Sequence, residues 1–180
     1  MSVEEIQKKV LGCNCRHVVL TGGEPMIAPD LPALAAALRK AGKHITIETA
    51  ATIPPADIAC DLASLSPKLS NSTPPPTRDP AWAKKHEATR LPPSVISDWI
   101  RNYAFQLKFV VSTEQDISEI KNLLSLLPPA PFHQILLMPE GIDSATLASR
   151  SPWLVEICQR EGFRFCPRLH IELFGHRRGT

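Results

Sequence analysis

No window of the 180 residues approaches the roughly 20 consecutive apolar residues of a membrane span, so the sequence offers no transmembrane helix. Residues 1–9 read as the start of an amphipathic helix, without the apolar centre and small-residue cleavage site of a signal peptide. Together these absences predict a cytoplasmic protein. Blocks of like charge are also missing. The 20 Lys and Arg and 18 Asp and Glu are scattered, leaving a net charge of +2 and no reason to expect a nucleic acid or a membrane as partner. The five cysteines are odd in number and have no spacing that makes a small disulfide framework, which points to reduced thiols. No Gly-x-Gly-x-x-Gly string follows an apolar run, which argues against a phosphate-cradling, doubly wound nucleotide-binding protein. Internal sequence repeats are absent.

At 43% hydrophobic and 21% charged residues, the chain has enough apolar surface for one sizeable core, and a single domain over residues 1–180 is expected. Ser2 reads as an N-cap with Glu5 as its capping-box partner, and Val3, Ile6 and Val10 recur at helical spacing. His17–Leu20 is a short apolar run ending at Gly22-Gly23. Asp30 reads as the cap of a periodic stretch over 31–41 that stops at Gly42. Strands are predicted at 44–48 and 58–65, separated by Pro54-Pro55. Residues 67–93 hold seven prolines and little periodicity, and read as a long loop or lid with one helical turn. Beyond it the pattern predicts a helix at 93–101, a strand at 106–111, a helix capped by Thr113 to 127, a strand at 134–138, a helix at 144–160 closed by Gly162, and a strand at 163–166.

Strands alternating with helices imply an α/β fold with a parallel sheet and a functional site at the carboxyl ends of the strands. About six strands are visible where a closed eightfold barrel needs about 250 residues. A partial parallel (β/α) barrel is therefore expected, with a doubly wound sheet as the alternative. Three strand ends carry groups of chemical interest. Thr21-Gly22-Gly23-Glu24-Pro25 offers backbone carbonyls, free of Cβ obstruction, that can hold an ammonium, and a carboxylate for a cationic group; a tight turn without a ligand uses the same residues. Ser66-Pro67-Lys68 combines a hydroxyl, a rigid proline and a cation suited to a ribose or a carboxylate, and reads equally as a serine cap beside a solvated lysine. Met138-Pro139-Glu140-Gly141 closes a third strand, in a form that an ordinary turn also takes.

Residues 21–25 resemble the motif by which radical S-adenosylmethionine enzymes hold the amino group of the methionine moiety, and residues 17–27 resemble one branch of that superfamily closely. The Ser-Pro-Lys string, the Met-Pro-Glu-Gly string and the ending at 167–175 are similar to segments of the 7-carboxy-7-deazaguanine synthase family. The resemblance covers essentially the whole chain. It implies a radical SAM barrel in which Gly22, Gly23, Glu24, Ser66, Pro67, Lys68, Met138, Pro139, Glu140 and Gly141 bind S-adenosylmethionine and Thr21 contacts the pterin substrate. In the family, the cofactor is cleaved reductively at a [4Fe-4S] cluster with Mg2+ assisting. Hydrogen abstraction from 6-carboxy-5,6,7,8-tetrahydropterin then leads to ring contraction, loss of ammonia and entry into queuosine and 7-deazapurine synthesis. A reductant such as flavodoxin or ferredoxin and a homodimer are implied as well.

The sequence departs from that family at its cluster. The family's three cysteines, Cys-x3-Cys-x2-Cys or a lengthened variant, lie before the Gly-Gly-Glu string, where this chain has only Cys13 and Cys15, one residue apart. Cys60, Cys158 and Cys166 sit in apolar surroundings that read as core. No catalytic residue and no metal ligand is identifiable. The expectation is that Met1 corresponds to an interior position of a full-length relative, with the first strand, the cluster loop and the magnesium-binding threonine on an absent segment. An inactive truncated homologue or an accessory protein retaining part of the S-adenosylmethionine pocket is the alternative.

Overall fold

The computed structural model describes residues 1–75, 77 and 79–177. The fold is α/β, with an open, parallel six-stranded sheet whose strands follow chain order. Two compact units divide the chain, one of Met1–Ser66 with Pro92–Gln106 and the other of Pro67–Leu91 with Leu107–Thr180.

The first unit begins with α1 (Val3–Leu11), whose capping box between Ser2 and Glu5 forms as the sequence predicts. There follow β1 (His17–Leu20), α2 (Leu31–Lys40), β2 (His44–Thr49), β3 (Leu62–Leu65) and α4 (Pro93–Asn102). β1 pairs with β2 from His17↔His44 to Leu20↔Ile47, and β2 pairs with β3 from Thr46↔Leu62 to Thr49↔Leu65. The parallel register places the carboxyl ends of β1, β2 and β3 side by side. Burial follows the two periods expected of a packed α/β layer: Leu34, Ala35 and Leu38 on one face of α2, and Ile45 and Ile47 alternating along β2, are all buried. Asp30 stands at the N-cap of α2 but makes no side-chain capping bond.

β3 is shorter than the predicted 58–65. Ala56 and Asp57 take left-handed backbone angles, φ 47° and 56°, so the chain turns there and joins the ladder only at Leu62. Ile58 and Cys60 are buried without strand pairing, because an apolar run serves a buried loop as well as a strand.

The second unit contains α3 (Pro80–Thr89), most of β4 (Phe105–Val111), α5 (Glu114–Ser125), β5 (Ile135–Pro139), α6 (Ser144–Glu161), β6 (Arg164–Phe165) and α7 (Leu169–Phe174). β4 pairs with β5 from Leu107↔Ile135 to Val111↔Pro139, and β5 pairs with β6 at Leu136↔Arg164 and Leu137↔Phe165. Leu107, Phe109, Ile120, Ile135, Leu137 and Leu154 are buried among its core residues. Gly162 closes α6 in the left-handed conformation, as expected.

The region expected to be a long loop with one turn instead holds the ten-residue α3, started by Asp79, whose carboxylate accepts from the Trp82 N–H at 2.9 Å. It is tied to α5. The Ser70 N–H and hydroxyl donate to Glu119 at 3.0 and 2.8 Å, and Asn71 Nδ2 donates to Asp116 at 3.0 Å.

Candidate functional site

The three predicted strings lie at strand ends, residues 21–25 and Ser66 in the first unit and residues 67–68 and 138–141 in the second. In the first, β1 ends at Leu20 and the chain enters Thr21-Gly22-Gly23-Glu24. Gly22 and Gly23 are exposed, neither has a positive φ, and a Cβ added to either would meet no atom within 4 Å. Neither backbone conformation nor packing therefore requires glycine here. What glycine does supply is bare, accessible main chain, which a ligand can approach closely.

Glu24 is held from several directions. Its Oε1 accepts from the Met26 N–H at 3.1 Å and from the Thr49 hydroxyl at 2.7 Å, and its Oε2 accepts from the Ala50 N–H at 2.9 Å. The carboxylate thus caps the short 3-10 turn Pro25–Ile27 and ties it to the end of β2. Thr21 donates a long hydrogen bond, 3.4 Å, to Glu48 of β2. Ser66 is buried at the end of β3, and its N–H donates to the Thr49 carbonyl at 2.8 Å.

Sequence reasoning did not select Glu48, Thr49 or Ala50. These residues stand 24 or more positions after Glu24 in the chain, and the β1–β2 register brings them together. The usable signal was polar Glu-Thr closing an alternating strand at a parallel-strand carboxyl end.

In the second unit Pro67 is buried and Lys68 half-buried. The backbone there is set by Arg90, just beyond α3, whose Nη1 donates to the Lys68 carbonyl at 2.9 Å and to Glu119 at 2.5 Å, while Nη2 donates to Glu87 at 2.5 Å. The Arg90 side chain is only 10% exposed. Its two carboxylate partners compensate the charge, and the hydrogen bond it donates to Glu87 is the main cause that raises the guanidinium pKa. Accepting that bond from Arg90, and a second from the Thr73 hydroxyl, pulls Glu87 down to about 2.

The third string lies at the end of β5. Met138 is half-buried and Pro139 buried, and the Glu140 N–H donates to the Val111 carbonyl at 2.8 Å. Glu140 forms an ion pair with Arg150, which also donates to the Glu140 carbonyl at 2.5 Å. Arg168 donates to the Gly141 carbonyl at 3.3 Å. Gly141 is at φ 155°, and a Cβ there would stand 3.0 Å from Leu147 Cδ2 and 3.1 Å from Thr146 Cγ2. Here the fold itself demands glycine.

The cysteines do not converge. Cys13 and Cys15 are exposed, Cys60 and Cys158 are buried, and Cys166 is half-buried. Desolvation raises the Cys60 thiol and pushes Cys158 up to about 11, which keeps both protonated and poor as iron ligands. Among the described residues no group of three or more His, Cys, Asp or Glu could hold a metal ion. The cysteines among the described residues therefore do not fit a four-iron cluster. No helix among the described residues is long and apolar enough to cross a membrane.

An open parallel sheet with accessible glycine backbone at the end of β1 defines the class as an α/β protein, in which ligand sites characteristically lie at the carboxyl ends of the strands. Comparison with known proteins makes this specific. The chain is 42% identical over 180 residues to the 7-carboxy-7-deazaguanine synthase of Rhodopirellula baltica, an alignment spanning 99% of this chain and 69% of that protein. It is 39% identical over 184 residues to that of Halobacterium salinarum, across 97% and 71% of the two chains. The crystal structure of QueE from Escherichia coli superposes with a TM-score of 0.65 at 25% identity, covering 93% of this chain and 64% of that one. No family model matches the sequence. The chain belongs to the 7-carboxy-7-deazaguanine synthase family, and its open sheet is a partial parallel barrel.

Proposed function

We propose that this chain carries the cofactor-holding part of a radical S-adenosylmethionine enzyme, a carbon–nitrogen lyase. The reaction is ring contraction of 6-carboxy-5,6,7,8-tetrahydropterin to 7-carboxy-7-deazaguanine with release of ammonia, on the route to queuosine and related 7-deazapurines. The observation that carries this reading is the Gly22-Gly23 backbone. It is accessible, it is free of any structural need for glycine, and it sits in a chain 42% identical to a synthase of this name.

In this reading the carbonyls of Gly22 and Gly23 accept from the cofactor's ammonium group, which a Cβ would keep at a distance. Glu24 keeps that turn in place through its bonds to Met26, Thr49 and Ala50. Ser66, Pro67 and Lys68, together with Met138, Pro139, Glu140 and Gly141, flank the ribose and adenine. Thr21 contacts the pterin. When bound, S-adenosylmethionine supplies radical chemistry that side chains lack.

The cysteines present do not fit the cluster that such chemistry uses, so the cluster-binding triad belongs to sequence outside these 180 residues. Magnesium, a reductant of the flavodoxin or ferredoxin kind, a homodimer and a cytoplasmic setting complete the proposal. The alternative, an accessory protein that binds the cofactor without turnover, is favoured by the scattered cysteines.

Two measurements separate these readings. Calorimetry with S-adenosylmethionine on the 180-residue protein should show binding under either one, and no heat of binding would reject both. The DNA upstream should encode, in frame, a cysteine triad. Expression of that longer form with iron and sulfide should give a charge-transfer band and turnover of the pterin. A stop codon with no triad upstream would leave the accessory reading.

A further inference from the structure

Glycines 22 and 23 are exposed and, having no side chain, cannot hold themselves in one conformation. A carbonyl pair that receives an ammonium works only if its geometry is set beforehand. The atoms that set it converge on a residue outside the motif. Thr49, the last residue of β2, is 2% exposed. Its hydroxyl donates to Glu24 Oε1 at 2.7 Å and accepts from the Ala51 N–H at 3.0 Å. The next amide, Ala50, donates to the other Glu24 oxygen.

Ala51 is fully buried and held at φ 56°, a left-handed conformation that alanine adopts at a cost. The β2 terminus is thus bent so that two consecutive N–H groups face a carboxylate and a hydroxyl. Both acceptors lie on the path from Thr49 to the glycine pair.

We propose that Thr49 is a positioning residue. Its single hydroxyl couples the strained turn at Ala50-Ala51 to the Glu24 carboxylate, and so fixes the Gly22-Gly23 carbonyls for the ammonium end of the cofactor. The proposal rests on the assignment of those glycines to S-adenosylmethionine. Thr49 itself makes no contact with the ligand.

The test uses the 180-residue chain and three variants: Thr49→Val, which keeps the shape and removes the hydroxyl, Thr49→Ser, which keeps the hydroxyl, and Thr49→Val combined with Ala51→Gly, which relieves the left-handed alanine. Calorimetry with S-adenosylmethionine, amide hydrogen exchange and thermal melting are recorded for each. Thr49→Val should bind about tenfold more weakly, as loss of an outer hydrogen-bond partner weakens a site. Exchange at Gly22, Gly23, Ala50 and Ala51 should speed up. Thr49→Ser should match the parent in both readouts. The double variant should recover melting temperature while keeping the weak binding.

Parent-like affinity in Thr49→Val overturns the proposal. So does faster exchange confined to Ala50 and Ala51, which would make Thr49 a strand-end cap and nothing more. If weak binding in Thr49→Val vanishes whenever melting temperature is restored, stability alone explains it and the proposal also fails. Absence of binding by the parent chain is a different result, since it removes the cofactor assignment and this proposal with it.

Discussion

A β-carbon built on Gly22 or Gly23 meets open space, whereas one on Gly141 would overlap Leu147 and Thr146 at a φ of 155°. The same residue type is therefore present for opposite reasons, and substitution separates them. Gly23→Val should leave unfolding free energy within about 0.5 kcal/mol of the parent, as surface changes away from packed features do, while abolishing measurable S-adenosylmethionine binding in calorimetry. Equal affinity in that variant would reject the glycine assignment. Gly141→Ala should cost about 1–3 kcal/mol in a urea titration, through forced backbone geometry and overpacking together. A neutral result would mean that the turn at the end of β5 relaxes at little cost. Glu140, paired with Arg150, differs again: its carboxylate already has a partner within the second unit, so under the proposed assignment it would serve a ligand through the backbone it steadies.

At the scale of elements, α3 shows how a charged cluster can hold a helix that its own sequence favours weakly. Glu87 has a folded-state pKa of about 2, below its ordinary value of 4.5, because Arg90 and Thr73 donate to it. The sign follows directly: a depressed carboxylate contributes stability above its unfolded pKa, and that contribution is lost as pH falls from about 4.5 through about 2. Glu87→Gln should therefore flatten the acid limb of the stability profile in that window, measured by urea unfolding at successive pH values. An unchanged slope between pH 5 and 2 would show that the pair does not form in solution. Since the Glu87 side chain is 48% exposed, solvent screening keeps the energy of the pair itself small.

The same segment marks the limit of sequence reading. The short apolar-rich runs at β1, β2, β4 and β5 were legible because strands of a parallel sheet are rich in apolar, often branched residues. The capping box at Ser2, the Thr113 N-cap and the Gly162 stop were legible because each is a local hydrogen-bonding device. α3 was not, since seven prolines over 67–93 hide a helix whose C-cap Arg90 is held by Glu119, 29 positions away, in a segment that Ser70 ties to the same Glu119 across 49. Of the site, the glycine string was visible as a motif. The Glu24–Thr49 bond was invisible because it depends on the pairing of two strands rather than on any local pattern.

At the scale of the molecule, the strand that presents the glycine string lies at an edge of the sheet. Among the described residues β1 has β2 as its one strand partner, so its other edge offers unpaired N–H and C=O groups. Val19, at its centre, is 56% exposed. Natural sheets cover or charge such an edge, because an open one recruits other chains, yet β1 reads His-Val-Val-Leu. Relatives are longer than the aligned region, which spans 69% of the Rhodopirellula protein and 71% of the Halobacterium one. A version extended by the upstream reading frame should place a further strand on this edge and bring the cysteine triad. Its melting temperature should rise because backbone groups become paired, and rise again on cluster loading, since a ligand bound only by the folded state adds its binding free energy to stability. Sedimentation should show the 180-residue form associating in a concentration-dependent way that Val19→Lys suppresses, a charge on an edge strand being a natural barrier to pairing. Val19→Lys in the extended form should instead lower stability, because the residue would then be covered. If both forms melt together and Val19→Lys is silent in each, the edge is not where the rest of the barrel attaches.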